Sequence, residues 1–193
     1  MNNEEHQIYI AEWQRIVQEG NDAYANRRYT EAELAFVAAL RIIEKANLPE
    51  SMADLSDEEK FAHRARLAKS LNNTAALYQT QGKYQMADEL YKRCLELKKE
   101  MYGEEHLEVA ISLHNMAVMH SAKRKFGLAE PLYKTSLEMR ERLQGKENPE
   151  LSTILRNYAL CLRRMDRGDE AKVLEERAEN MEEKKPEAVA QSE

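Results

Sequence analysis

The stretch from Leu71 to Leu97, LNNTAALYQTQGKYQMADELYKRCLEL, decides the fold because the chain repeats its wording twice more. Leu71, Leu113 and Leu155 are spaced 42 residues apart, and the same step links Asn73, Asn115 and Asn157, then Ala75, Ala117 and Ala159, then Ala87, Ala129 and Ala171. Small residues recurring at a fixed offset mark places where two helices approach closely, and a period of this size implies stacked helix pairs. The function class that follows is binding.

Upstream of this stretch lies a degenerate first copy. Ile8, Trp13, Ile16 and Val17 have helical apolar spacing that runs on to Tyr24, Asn26-Arg27-Arg28 marks a turn, and a second periodic run covers Tyr29 to Ile43. Gly20, Tyr29, Ala32 and Phe36 stand where Ala75, Tyr84, Ala87 and Tyr91 stand later, at an offset of 55 instead of 42. The thirteen extra residues fall between Asn47 and Lys69, where Leu48-Pro49 stops a helix and Ser51 to Asp54 reads as a loop. Ser56-Asp57-Glu58-Glu59 then reads as a capping box opening a helix that runs to Gln81 and is about two turns longer than its counterparts. That insertion reads either as a tolerated surface segment or as a lip over one end of a groove.

Downstream the pattern is regular. A turn at Gln81-Gly82-Lys83 precedes a helix from Tyr84 to about Met101, and the next helix spans about Glu105 to Ala122. Lys123-Arg124-Lys125 turns into a helix from Phe126 to Leu143, and Asn148-Pro149 opens the fourth copy with Asn as cap and Pro at the first helical position. The predicted architecture is all-α: one repeat domain over residues 1–185, with copies at about 8–46, 57–101, 105–143 and 149–184, an insertion at 47–56 and a frayed tail at 186–193.

Composition narrows the function. A formal charge of −6 disfavours nucleic acid as partner, since phosphate neutralisation needs a Lys/Arg surplus. Cys94 and Cys161 lack zinc-type or secreted-scaffold spacing and read as buried thiols in a reducing compartment. The N-terminus has no basic, apolar leader, and no window approaches the ~20 apolar residues of a spanning helix. The expectation is a cytoplasmic protein with no membrane partner.

Paired helices with small residues at these offsets, an aromatic opening the second helix (Tyr29, Tyr84, Phe126) and another seven residues on (Phe36, Tyr91, Tyr133), resemble tetratricopeptide repeats. The 42-residue step, and the wording SLNNTAALYQTQGKYQMADELYKRCLELKKEMYGEEH with its GKY turn and G-x-x-H loop, are closer to kinesin light chain repeats. The resemblance covers roughly residues 8–184 and implies a right-handed superhelical solenoid of helix pairs. The chain departs from a full kinesin light chain in offering no sustained heptads outside the repeats. In the fourth copy Gly168, Glu175 and Glu179 replace residues of the Tyr84, Tyr91 and Leu95 columns, as a polar C-terminal cap would.

The resemblance implies that the first helix of each pair lines a concave face. The lining columns are then Val17, Asn72, His114 and Arg156; Asn21, Ala76, Val118 and Leu160; and Tyr24, Gln79, Ser121 and Arg163, bordered by Lys69, Ile111, Thr153 and Arg164. This surface carries Lys69, Arg156, Arg163 and Arg164 and no acid, which suits an acidic or carboxylate-ended peptide. Equally, Arg163 and Arg164 sit where cations complement a helix C-terminus. Asn73, Asn115 and Asn157 either hold a peptide backbone, as such asparagines do in related proteins, or bond adjacent repeats to each other. The chaperone-binding carboxylate clamp is disfavoured, because its basic positions hold Val17, Ile111 and Asn115 and only Asn21 and Asn73 match.

No catalytic constellation is legible. His114 and His120 lie six apart, off one helix face, His106 is in a loop, and no glycine loop could cradle a phosphate. The reading is a non-catalytic interaction module with no cofactor and no metal, monomeric or weakly self-associating. Its groove would comprise Lys69, Asn72, Asn73, His114, Asn115, Val118, Arg156, Asn157, Leu160 and Arg163. Alternatives from other classes are a structural, self-associating repeat protein and a chaperone for a secreted partner.

Overall fold

The computed structural model describes residues 3–46 and 55–183. The loop expected at Leu48 to Asp54 and the tail at 186–193 lie outside these residues. Among the described residues there are eight α-helices and no strand. They pair as the repeat predicts: α1 (Asn3–Ala25) with α2 (Tyr29–Ala46), α3 (Asp57–Thr80) with α4 (Tyr84–Tyr102), α5 (Leu107–Ala122) with α6 (Phe126–Gln144), and α7 (Ser152–Arg163) with α8 (Gly168–Glu183).

Local chemistry sets the helix ends. The Ser56 hydroxyl accepts the Glu59 N–H (3.2 Å) and the Glu59 carboxylate accepts the Ser56 N–H (2.8 Å), the expected capping box. Helix α3 therefore starts early and runs 24 residues against 16 in α5. Helix α5 starts at Leu107, two residues later than the sequence suggests, because His106 Nδ1 accepts the Glu108 N–H (3.1 Å) and makes His106 the cap. Asn148 caps as expected, its side-chain oxygen taking the Glu150 N–H (2.9 Å). Pro149 opens a separate 3-10 turn, Pro149–Leu151, and α7 begins only at Ser152. The tight turn puts Leu151 among the fully buried core residues.

All four pairs turn by one device. Arg27, Gly82, Arg124 and Asp166 adopt left-handed backbone (φ 58°, 74°, 58° and 59°). The amides of Arg28, Lys83, Lys125 and Arg167 then donate to the carbonyls of Ala23, Tyr78, His120 and Leu162. This is the Schellman closure, which satisfies carbonyls left over at a helix C-terminus.

The chain divides into two compact units, Met1–Gly103 and Glu104–Glu193. In the first, α2 packs against α1 and α3, and α3 against α4. Trp13, Val17, Ile43, Leu67, Leu71 and Cys94 form its main core cluster, with Ala23, Ala32, Phe36 and Leu77 in a second. Gly20 is required for the α1–α2 approach, since a Cβ there would lie 2.5 Å from Phe36 Cε1. Side-chain bonds join α1 to α3: Trp13 Nε1 donates to Ser70 Oγ (2.8 Å), and the Tyr24 and Thr80 hydroxyls are hydrogen-bonded to each other at 2.8 Å. In the second unit, α6 packs against α5 and α7, and α7 against α8, around Tyr133, Leu137, Leu151, Ile154, Leu155 and Met181.

Candidate functional site

The first unit holds three of the expected groove residues. Lys69 is exposed with its Nζ 6.0 Å from the Trp13 ring centre, Asn72 is half-buried, and the Asn73 amide donates to Asn21 Oδ1 at 3.4 Å. Asn73 is thus bonded to the neighbouring repeat, one of the two roles the asparagine column allowed.

The second unit holds the rest. Asn157 on α7 donates to His114 Nε2 on α5 (3.0 Å), again a bond between adjacent repeats, and this assigns the ring proton to Nδ1. Burial, with a smaller contribution from the Arg140 charge, lowers the His114 pKa to about 4, so the ring is neutral at pH 7 and adds no charge to this face. The ring lies 5.9 Å from Tyr133, which in turn stacks on Tyr158 at 5.7 Å with planes 17° apart. Burial pushes both tyrosines up to about 12, so both keep their protons. Asn115 is half-buried and Arg156 exposed.

Val118, Asn157 and Leu160 line one open pocket of about 500 Å³, and Leu160 is 55% exposed. Phe126 and Tyr133 extend its apolar wall, while Arg124 and Arg164 stand at its edge. Both arginines are exposed, and among the described residues neither has an ion-pair partner. Cys161 also lines the pocket, but burial raises its thiol pKa, which opposes the thiolate a nucleophile needs.

Arg163 is paired with α8: its Nε donates to Glu175 Oε1 (2.7 Å) and its Nη2 to Glu175 Oε2. The acid that replaces an aromatic in the last copy consumes the cation opposite it. Five pocket residues have no groove role in the sequence reading, Ala122, Arg124, Phe126, Tyr133 and Cys161, and of these Arg124 and Phe126 bring charge and an apolar ring to its mouth. The signal was the run Lys123-Arg124-Lys125-Phe126, which reads as a turn but also places cations and an aromatic beside the end of α5.

The tetratricopeptide repeat family model matches residues 66–142 and, again, 108–184. The chain belongs to the tetratricopeptide repeat family. The two windows are displaced by the 42-residue period, and neither reaches the first helix pair. Repeats of this family serve as protein-interaction scaffolds and are in general non-catalytic.

Among solved structures, the chain is similar to BtubC (BKLC) from P. vanneervenii, at 23% identity and a TM-score of 0.61, covering 96% of this chain and 76% of that one. A P. anserina protein described as a kinesin light chain with nearly identical TPR-like repeats gives 16% identity and a TM-score of 0.58, covering 91% and 97%. A MamA structure gives 13%, 0.50, 88% and 97%. These are likenesses of fold. No curated protein sequence matches the chain. Among the described residues no helix is long and apolar enough to cross a membrane, and no group of three His, Cys, Asp or Glu could hold a metal ion.

Proposed function

We propose that this protein is a non-catalytic adaptor whose second unit binds an extended acidic peptide at the α5–α7 pocket. The observation that carries the reading is the pairing of an open apolar pocket with two arginines, Arg124 and Arg164, that have no ion-pair partner among the described residues of a chain with net charge −6. A bulky apolar side chain would enter between Val118, Phe126 and Leu160 while flanking carboxylates meet the two guanidinium forks. Charge would govern approach, and apolar contact would slow departure. Asn157, which lines the pocket, is engaged with His114, so it contributes a fixed, neutral part of the wall.

Selection from a displayed random peptide library tests this. The enriched sequences should place Asp or Glu beside Leu, Phe or Trp, and affinity should fall with salt. Arg124→Glu with Arg164→Glu should weaken the selected peptides by about ten- to a hundredfold, on the order of 1.4–2.8 kcal/mol, with helicity unchanged. Enrichment of basic or uncharged peptides, or unaltered binding by the double variant, overturns the reading.

A further inference from the structure

Arg66, on α3 in the first unit, is half-buried, and among the described residues it has no ion-pair partner. Four other arginines of that unit are matched, Arg15 to Glu19, Arg28 to Glu31, Arg64 to Glu100 and Arg93 to Glu44, and the two that are not, Arg27 and Arg41, are exposed. The reason for the difference lies in the cap of α3. Glu59, the one acid among the described residues lining the same cleft, turns its Oε2 back to the Ser56 amide and hydroxyl, both at 2.8 Å. The capping box thus engages this carboxylate with Ser56, and no ion pair joins it to the guanidinium.

The cleft itself is a built feature. On α1, Gln7, Ile10 and Gln14 share one face, and on α3, Ala62 and Arg66 share another. Between them lies a space of about 340 Å³. It exists because the capping box begins α3 early: Glu59 and Ala62 lie in turns with no counterpart in α5, whose first residue, Leu107, corresponds to Ala65 at the 42-residue step. At the Arg66 position the later copies carry Glu108 and Glu150, so the sign of the charge is reversed in the second unit.

We propose that this cleft is a carboxylate-binding site, taking an Asp or Glu side chain of an extended polypeptide on the Arg66 fork, with the Gln7 and Gln14 amides as further donors and Ile10 and Ala62 against the neighbouring residue. Partial burial lowers the Arg66 pKa, the mark of a cation that has lost water without gaining a counter-charge. A single carboxylate fits better than a phosphate dianion, because the Glu59 carboxyl group also lines the cleft and an acid there opposes a doubly charged ligand more than a singly charged one. The proposal rests on the peptide-binding reading for the class of partner, but its site belongs to the first unit alone.

The test is an NMR titration of the full chain, following the Arg66 Nε–H and the Gln7 and Gln14 side-chain amides. The probes are acetyl-Leu-Asp-Leu-amide, its Asn analogue, and inorganic phosphate. The Asp peptide should shift these signals saturably, the Asn peptide should not, and Arg66→Gln should weaken the Asp peptide by about tenfold, the loss expected for a charge-assisted pair. Absence of shifts, equal shifts with the Asn peptide, or undiminished binding by Arg66→Gln overturns the site. Saturation by phosphate at a lower concentration than the peptide overturns the carboxylate assignment. Because the readout is local to α1 and α3, failure of the Arg124 and Arg164 pocket leaves this result standing, and the reverse also holds.

Discussion

In the first unit the aromatic column of the second helices carries Phe36 and Tyr91, both buried; in the second it carries Tyr133, also buried, and then Glu175, which is bonded to Arg163. The neighbouring column runs Leu40, Leu95 and Leu137, all buried, and ends in the exposed Glu179. A repeat position is therefore apolar where packing covers it, and on α8, the last described helix, the same position takes a charge. Alongside the buried Ala171, Ala178 and Met181, ion pairs attach this helix: Arg167 joins Glu130 of α6 to Glu170 of α8, and Arg177 of α8 reaches Glu141 of α6. Such pairs are weak when exposed, so the two kinds of helix attachment should respond very differently to mutation.

The comparison is broken most severely by treating the column as uniform. Tyr133→Ala removes a fully buried ring that stacks on Tyr158 and meets a tilted His114, and should cost about 3–5 kcal/mol in urea unfolding. Glu175→Ala, one repeat later in the same column, should move the unfolding midpoint far less. Equal losses at the two positions would mean that α8 is packed as tightly as α6.

Acid should separate the units next. The folded His114 pKa of about 4 lies below the 6.5 of an unfolded histidine, so the unfolded chain binds a proton first as pH falls. The stability this neutral ring contributes is fully present above pH 6.5 and is lost progressively down to about pH 4. The loss amounts to about 3 kcal/mol at 1.36 kcal/mol per unit. Urea midpoints measured from pH 7 to 4.5 should fall more steeply for the native chain than for His114→Gln, which cannot titrate there. Parallel slopes would show that the ring is hydrated in the folded protein.

How much of this was legible in the sequence depends on whether a residue acts within its own turn or across to another helix. The capping box at Ser56 and Glu59, the Asn148 cap and every pair turn were readable, because each is decided within a few residues. The first helix pair was readable through Gly20, Ala32 and Phe36, although the family match starts only at residue 66. The Arg163–Glu175 pair is not legible in the sequence because the partner is twelve residues away on another helix, and helical spacing says nothing about which face of α8 meets α7. Arg66 was passed over for the same reason: its isolation follows from where the Glu59 carboxylate goes.

Gly20 offers a sharper test of the first unit. The later copies tolerate Ala75, Ala117 and Ala159 at this position, each buried. In the first unit a Cβ at residue 20 would meet Phe36 Cε1 and Cδ1 at 2.5 and 2.6 Å, and that ring is itself buried. Gly20→Ala should therefore lose about 1–3 kcal/mol to overpacking, offset by roughly 1 kcal/mol of helix propensity. A net loss near 1 kcal/mol is expected in a thermal melt. A stabilised variant would show that Phe36 can move aside as freely as Tyr91 has done opposite Ala75.

The smallest effect concerns the turns, where the units share one geometry with different residues. Arg27, Arg124 and Asp166 hold φ near 58–59°, a conformation in which a side chain crowds the following carbonyl, while Gly82 holds it at 74° without that cost. Nothing lies within 4 Å of a Cβ built on Gly82, so Gly82→Ala is penalised by the backbone alone. The left-handed penalty is about 1–2 kcal/mol, and replacing glycine returns roughly 0.4–1 kcal/mol by restricting the unfolded chain. The net loss should be near 0.5–1 kcal/mol. Arg27→Gly and Asp166→Gly reverse the sign, each gaining roughly 0.5 kcal/mol, and because the two sites are far apart in sequence and in different units their effects should add. Urea midpoints of the two single variants and the double variant measure this. A loss at Arg27 would mean that the Arg28–Glu31 pair, one residue on, depends on a stiff turn and outweighs the relief of strain.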